Sequence, residues 1–367
     1  MEHGELEQLS VLARRAAHQV DPTCPCAPHA TTVLADRDDG TVVRHGAVVV
    51  KAHAPGTDLP AHRARIDVAG LRELDGILLP PHPLRELDGT PLPPRPRTAP
   101  DPDGVRPRTA WPYGTPVDPT DPDAAPWEDA ARLLARLHRT PPPAHLPIPP
   151  MRAPAKAALA VERMRRSTAP RPAVETVLRA WRTLPEEPAH RPLLCHGDFH
   201  LGQLVRDPRV PGAPWVLIDV DDLGLGDPAW DLARPAAWFA AGLLPPEVWT
   251  RFLDAYRECG GPAVGTRTTD APDAHHAPDA HHAPHAHRAP DAHHAPDAHE
   301  AHPARDARDP WAQLDLPARA LTVQTAALAL AKSSAENRPL DEVEEVMIDT
   351  CARIGSLRTE LARPASP

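Results

Sequence analysis

The stretch at residues 192–233, PLLCHGDFHLGQLVRDPRVPGAPWVLIDVDDLGLGDPAWDLA, places the strictest limits on the fold of this chain. It contains three short apolar runs separated by turn-forming residues, which predicts small buried strands rather than helices. The runs are Leu193–Cys195, Gln203–Val205 and Trp215–Ile218. Asp198 follows the first run and Asp219 follows the third. Carboxylates at the ends of such strands can converge on one cleft, where one acid accepts a hydroxyl proton and others hold a hard cation through oxygen. This chemistry suits phosphoryl transfer from a metal-bound nucleotide.

The same stretch resembles a known family. HGDFHLGQLV, WVLIDVDD and GDPAWDLA follow one another as in the aminoglycoside phosphotransferase/choline kinase-like family of small-molecule kinases, and the HLGQ segment is also similar to maltokinases. The resemblance implies an α+β, bilobal protein-kinase-like fold, with a small β-rich N-lobe and a larger, mainly helical C-lobe. It places a nucleotide-binding N-lobe at residues 1–110, a hinge at 111–116 and the C-lobe at 117–367.

The resemblance also implies roles for individual residues of the central stretch. Asp198 takes the position of the catalytic acid, while Gln203 and Asp219 take the positions of the metal ligands. Asp221 is a further candidate ligand, or merely lines a solvated turn. Gln203 departs from the usual Asn of the family, although Gln keeps the carbonyl oxygen on a longer arm. We expect Asp231, inside GDPAWDLA, to brace the catalytic loop.

Residues 31–52 are the clearest β region, because β-branched runs alternate there with Asp-Gly and His-Gly turns. The third run ends in Lys51, where the resemblance implies the lysine that aligns the nucleotide phosphates. In the helical pattern at 61–74, Asp67 falls in the register of the acid that pairs with this lysine. Asp is one methylene shorter than the usual Glu, and a surface position for Asp67 is an equal alternative.

The segment around Trp111 and Tyr113 is predicted to be a strand leading into a linker. The resemblance makes this segment the hinge beside the adenine, so both aromatic residues are candidate nucleotide contacts. The alternative is a Pro-rich loop whose aromatic side chains are buried in the core. Apolar spacing predicts a strand at Ile77–Leu79, an irregular loop at 80–107, and helices within 1–22 and at 127–138, 155–166, 172–183, 247–256, 311–334 and 340–361.

Residues 271–300 are five tandem hexapeptides of the type APDAHH. A Pro in every copy forbids a continuous helix, and the segment has no large apolar residue, which predicts a disordered insertion over 267–308. His-rich tracts can bind transition metals, yet we favour a neutral repeat expansion over a metal store. Cys24-Pro25-Cys26 has a single intervening residue and no second pair downstream, so we expect an incidental pair rather than a metal site.

Composition narrows the class of protein. A formal charge of −10 over 367 residues argues against a nucleic-acid partner. MEHGELEQLS lacks the basic and apolar parts of a signal peptide, and no apolar run approaches the ~18 residues of a membrane helix. We therefore expect a cytoplasmic protein that does not enter membranes.

These observations predict an ATP- and Mg²⁺-dependent phosphotransferase acting on a hydroxyl of a small molecule that is aminoglycoside-, choline- or sugar-like. Asp221, Asp222 and the net negative charge favour a cationic or polyhydroxyl acceptor. The alternative is a catalytically weak protein of this fold that acts as a nucleotide-responsive binding module, which the departures at Gln203 and Asp67 suggest. A third hypothesis makes the His-rich segment a metal-buffering module. The acceptor and the oligomeric state stay open.

Overall fold

The computed structural model describes residues 3–24, 31–37, 40–82, 106–185, 192–265 and 309–361. In chain order the helices are α1 His3–Val20, α2 Leu59–Ala69, α3 Trp127–Arg139, α4 Ala153–Arg165, α5 Arg171–Arg182, α6 Ala233–Ala241, α7 Pro246–Glu258, α8 Trp311–Glu336 and α9 Glu342–Leu361. The strands are β1 Thr31–Arg37, β2 Gly40–His45, β3 Val48–His53, β4 Arg108–Pro112, β5 Thr115–Pro116, β6 Leu193–Cys195, β7 Leu204–Arg206, β8 Trp215–Leu217 and β9 Gly224–Gly226. The predicted insertion at 267–308 and most of the predicted loop at 80–107 lie outside the described residues.

The N-terminal strands form one antiparallel sheet in the order β1-β2-β3-β4. Side chains alternate between its two faces, and Val43, Val48 and Val50 are fully buried on the face that packs against α1. Leu9 and Ala13 of α1 complete this small core. The β region predicted for residues 31–52 and the leading helix are confirmed.

Two smaller sheets carry the central stretch. β5, β7 and β8 form a three-stranded antiparallel sheet, and β6 pairs with β9. The helices surround these strands and bury an apolar core that includes Leu134, Leu194 and Phe252. α3 contributes the most regular apolar stripe, with acidic residues in its first turn and basic residues in its last, which suits the helix dipole. Each predicted helix is present within a few residues of its predicted ends.

One predicted strand is wrong. Ile77–Leu79 forms isolated bridges rather than a strand, because the N–H groups of Ile77 and Leu78 donate back to the Leu74 carbonyl in a turn. Towards β8 the segment makes two backbone bonds: the Leu79 N–H donates to the Leu217 carbonyl, and the Leu217 N–H donates to the Ile77 carbonyl. These two bonds attach the segment after α2 to the edge of β8. Among the described helices, none combines the length and apolar character needed to cross a bilayer.

Candidate active site

An apolar cavity of about 200 Å³ lies between the four-stranded and the three-stranded sheets. Val42 and Val49 line it from the first sheet, and Val205 and Ile218 line it from the β7–β8 side. Trp111 and Tyr113 form a further wall, together with the residues that join β4 to β5. Lys51 and Asp219 are the charged residues of the lining. The cavity therefore offers a flat apolar space with a charged group of each sign.

Lys51 connects the two sheets electrostatically. Its Nζ lies 2.7 Å from Oδ1 of Asp219 and 2.9 Å from Oδ2 of Asp221. Burial alone would lower the pKa of Lys51, but the two carboxylates outweigh burial and raise it. Burial would likewise raise the pKa of Asp221, yet a hydrogen bond from His53 and the charge of Lys51 lower it. The ion pairs therefore keep Lys51 and Asp221 charged at neutral pH.

Asp67 does not occupy the position that the sequence predicted. It is exposed and lines a different cavity of about 600 Å³, next to Ile66 and His82. The buried face of α2 carries His62 instead, whose ring centroid lies 4.2 Å from that of His53. Five residues separate His62 from Asp67, which is about 140° around a helix. The interpretation of Asp67 as the partner of Lys51 is thus wrong, because the helix turns this side chain away.

Asp198 follows β6 and accepts from two cations. Lys156 Nζ of α4 lies 2.8 Å from Oδ2, and Arg234 Nη2 of α6 lies 3.0 Å from Oδ1. Burial of the carboxylate would raise its pKa, but the charges of Lys156 and Arg234 prevail and lower the pKa of Asp198 to about 2. Burial and Arg234 also lower the pKa of the neighbouring His200 to about 4, so its ring is neutral at pH 7.

Two direct contacts tie the Asp198 loop to the turn that carries Asp219 and Asp221. His196 Nε2 donates to the carbonyl oxygen of Ile218, the residue before Asp219, over 2.8 Å. Gly197 has φ 82° and packs so closely on Asp222 that an added Cβ would collide with the Asp222 carbonyl. Lys156 adds an ionic link, since its Nζ also lies 2.6 Å from Asp222 Oδ2. The two acidic loops are therefore held as one unit.

Asp231 supports the Asp198 loop from the protein core, which confirms the bracing role expected for it. Its fully buried carboxylate accepts hydrogen bonds from the backbone N–H groups of His196 and Gly197, at 2.6 and 2.7 Å. His138 Nε2 lies 2.9 Å from the same carboxylate, and its Nδ1 lies 2.8 Å from the hydroxyl of Tyr256. That hydroxyl accepts from the backbone N–H of Ala263, so it donates to His138 and leaves the His138 Nε2–H to donate to Asp231.

Gln203 is buried at the start of β7. The backbone carbonyl oxygen of Gln203 accepts from the backbone N–H of Ile218 over 2.9 Å, which fixes Gln203 beside the strand end that carries Asp219. Asp219 itself has φ 62°, an uncommon conformation for a residue with a side chain. Gln203, Asp219 and Asp221 thus share one end of the β7–β8 pair.

A third cavity, of about 270 Å³, is bordered by the residues that follow Asp198 in its loop and by α6. Trp127, Phe199 and Trp238 give it aromatic walls, and His200 and Arg234 give it polar groups. Asp198 itself lines a separate narrow cleft together with Lys156 and Arg234, so Arg234, which contacts the Asp198 carboxylate, borders both spaces.

Sequence reasoning missed the side chains that hold these acids in place. They are His53, His62, Lys156 and Arg234. Arg234 directly follows the GDPAWDLA motif, a position that a closer inspection of the motif could have marked. Lys156 gave no signal, because a lysine in a helix normally marks an exposed face. Asp222 is paired with Lys156 and Arg152, and Asp221 with Lys51, so these acids do not leave the unpaired negative charge from which a cationic acceptor was expected.

Comparisons with known proteins agree with this geometry. The model of the phosphotransferase enzyme family (APH) matches residues 82–270. No curated protein sequence matches the chain. Among solved structures, amicoumacin kinase hAmiN in complex with AMP-PNP, Ca²⁺ and Ami is 14% identical over 97% of this chain and 96% of its own, with a TM-score of 0.54.

Two further solved structures are similar. Choline kinase LicA from Streptococcus pneumoniae is 12% identical over 95% of this chain and 99% of its own, with a TM-score of 0.51. A choline/ethanolamine kinase family protein from Mesorhizobium loti is 14% identical over 96% of this chain and 95% of its own, with a TM-score of 0.50. At these identities the likeness concerns the fold, which is protein-kinase-like and built of sheets and helices. Because the family model spans just over half of the 367 residues, the chain belongs to the phosphotransferase enzyme family, the group of small-molecule kinases that its motifs predicted.

Proposed function

We propose that this protein transfers the γ-phosphoryl group of ATP to a hydroxyl group of a small molecule. The observation that carries the proposal is the arrangement of Lys51, Asp219 and Asp221 at the apolar cavity, with Asp198 fixed in the adjoining loop. Such a cavity can take an adenine between Trp111, Tyr113 and the valines of the two sheets. Lys51 would then lie against the phosphates.

The acidic residues near Lys51 suit a divalent cation. Asp219 and Asp221 each bring a carboxylate oxygen within 2.9 Å of the same Lys51 atom, so their oxygens already converge on one point. Carboxylate and amide oxygens are the donors that Mg²⁺ prefers, and we assign Asp219, Asp221 and the amide of Gln203 to this cation. When bound, Mg²⁺ neutralises the negative charge of the phosphates.

Asp198 is the residue that we assign to the acceptor hydroxyl. A carboxylate with a pKa of about 2 is fully ionised at neutral pH and is a weak base. Its main contribution is therefore to orient the hydroxyl and to take its proton late, as a loose phosphoryl-transfer transition state requires. Lys156 and Arg234 lie within 3.0 Å of this carboxylate and are placed to stabilise charge on the phosphoryl group as it moves.

We place the acceptor in the cavity of about 270 Å³ that the residues following Asp198 border. Trp127 and Trp238 offer flat apolar faces, while Arg234 offers hydrogen-bond donors. This combination favours a ring-bearing polyhydroxyl compound over a simple cation such as choline, since the charged groups of the lining include Arg234.

The proposed lobes follow the same division. We assign residues 1–110 to a nucleotide-binding N-lobe, 111–116 to a hinge and 117–367 to a helical C-lobe. In support, the four-stranded sheet contributes Lys51, while the acidic loops belong to the later strands. The apolar cavity lies between the two.

The test is release of ADP from Mg-ATP across sugars, aminoglycosides, amino alcohols and choline. At least one acceptor should raise ADP release tenfold or more above the rate with water. Asp198→Asn should lower that rate by about 10²–10⁴-fold, with ATP affinity nearly unchanged. Asp129→Asn, an exposed carboxylate of α3, is the matched control and should keep the rate.

Separate measurement of ATP binding distinguishes the alternatives. Mg²⁺-dependent binding of ATP without ADP release in any condition would favour the nucleotide-responsive binding module. Failure of ATP to bind at all would contradict both functions, because Lys51 and the apolar cavity would then serve neither.

A further inference from the structure

His18, Cys24 and His45 come together outside the site proposed for phosphoryl transfer. His18 lies in the last turn of α1, Cys24 lies in the turn that follows, and His45 ends β2. One donor atom from each residue lies within 4.8 Å of the other two. The sequence favoured an incidental Cys24–Cys26 pair, because nothing in the spacing shows that two histidines from other elements reach Cys24.

His45 is the most informative member of the cluster. Its side chain is fully buried, and its Nε2 has no hydrogen-bond partner among the residues that the structure describes. Buried polar nitrogen atoms are rarely left in this state, because the missing hydrogen bond costs free energy. The other ring nitrogen, Nδ1, lies 2.8 Å from the hydroxyl of Thr31, which faces His45 across the β1–β2 pair.

A bound metal ion would explain why Nδ1 of His45 has a hydrogen-bond partner while Nε2 has none. When Nδ1–H donates to the Thr31 oxygen, Nε2 is left with a free lone pair, and metal-binding histidines commonly pair one ring nitrogen with a protein acceptor in this way.

The backbone around Cys24 places the thiol on the same spot. The Asp21 side chain accepts from the N–H of Thr23, and the N–H of Cys24 donates to the Asp21 carbonyl, so the chain turns back after α1. The sulfur then lies over the β2–β3 turn, where a Cβ added at Gly46 would be 3.5 Å from it. Cys24 is partly exposed, which leaves the sulfur accessible to an ion from solution.

We propose that His18, Cys24 and His45 form a Zn²⁺ site that fastens α1 to the β2–β3 hairpin. One thiolate and two imidazoles are a donor set that Zn²⁺ prefers over Mg²⁺, with a water in the fourth position. A tetrahedral Zn²⁺ site spaces its donors roughly 3.5 Å apart, so the three atoms would draw together by about 1 Å on binding. His18 is exposed and can make this adjustment.

The proposed site lies on the face of the sheet opposite the apolar cavity. Val43 and His45 are buried towards α1, whereas Val42 lines the cavity and Arg44 covers the ring of Tyr113 at 3.4 Å. The proposed Zn²⁺ is therefore structural and does not touch the reacting groups.

The test uses Co²⁺ as a spectroscopic probe on the full-length protein, freed of metal and kept reduced. A thiolate bound to Co²⁺ gives a near-ultraviolet sulfur-to-cobalt charge-transfer band. The hexapeptide repeats contain histidine but no cysteine, so Co²⁺ bound there does not produce this band. We expect one equivalent of Co²⁺ to produce it and Zn²⁺ to abolish it by displacement.

Variants show which residues bind the Co²⁺ that gives the charge-transfer band. Cys24→Ser should remove it, and His18→Gln should weaken Co²⁺ binding at least tenfold without affecting the fold, because His18 is exposed. Thr31→Val should weaken binding by about tenfold, as expected for the loss of a residue that orients a ligand. Cys259→Ser and His145→Gln are the matched controls and should leave the band unchanged. Absence of the band in the wild-type protein, or its persistence in Cys24→Ser, would overturn the proposal.

Discussion

His62 and Asp67 lie on the same helix, yet only His62 can act on the charged residues at the apolar cavity. His62 packs on His53, whose Nδ1 lies 3.0 Å from the Asp221 carboxylate, whereas Asp67 is exposed elsewhere. We therefore expect His62→Ala to lower kcat/KM by about tenfold, since loss of groups that orient a ligating carboxylate has this order of effect. Asp67→Ala should stay within twofold of the wild type. Steady-state ADP release measures both, and a large loss in Asp67→Ala alone would restore the original interpretation.

The low pKa of Asp198 leads to a second prediction, which concerns the pH dependence of stability and rate. Because its folded pKa of about 2 lies below its ordinary value of 3.8, the ionised carboxylate stabilises the fold at all pH values above 3.8. This contribution is lost only as the pH falls through about 2. In the wild type, protonation of Asp198 should therefore not limit the rate between pH 4 and pH 8.

Arg234→Gln should change that pH profile. With one cation instead of two beside the buried carboxylate, the pKa of Asp198 rises, and the pKa of His200 rises with it because Arg234 lowers both. The acid limb of kcat/KM should move to higher pH than in the wild type. Arg132→Gln, an exposed arginine of α3, is the control. An unchanged acid limb in Arg234→Gln would show that Arg234 does not govern the charge of Asp198.

At the scale of elements, the loop after β6 is positioned by a glycine. Gly197→Ala should lower kcat at least tenfold, because its Cβ would push against the Asp222 carbonyl and displace Asp198 from the Asp219 turn. Gly212 has the same φ of 82° but open space around it, so Gly212→Ala isolates the conformational cost alone, about 1–2 kcal/mol. Denaturant unfolding and ADP release should thus separate the two variants. Equal activity in both would contradict a positioning role for Gly197.

The sequence predicted elements better than contacts between them. The valine-rich β region and the apolar stripe of α3 are local patterns with a clear period, so their prediction is confirmed. The segment Ile77–Leu79 is just as apolar, but whether it becomes a strand depends on a partner far along the chain. The same limit applies to Lys156, which reaches Asp198 from another helix, and to His62, since only the packed fold decides which face of α2 meets Lys51.

On the scale of the whole molecule, nucleotide binding should slow amide hydrogen exchange on both sides of the apolar cavity. We expect a non-hydrolysable ATP analogue with Mg²⁺ to slow amide hydrogen exchange in residues 42–51, in 109–116 and in 204–219, because these segments line the cavity or pair beside it. Lys51→Met should reduce this protection at the same ligand concentration. α9 lies away from the cavity and provides the internal control. Protection confined to one of the two sheets would contradict binding between them.

Tyr256, His138 and Asp231 form a buried chain of hydrogen bonds, which has a consequence for how the substrate of such an enzyme can change in evolution. It holds the backbone of His196 and Gly197 from inside the core, whereas the walls of the cavity of about 270 Å³ come from Trp127, Trp238 and the loop at residues 199–202. Under the proposed function, exchanges of Trp127 or Trp238 therefore change the acceptor while the Asp198 carboxylate keeps its place. Under that function, selection for a different substrate and selection for turnover act on largely different side chains, and Arg234, which lines the cavity and also contacts Asp198, belongs to both sets.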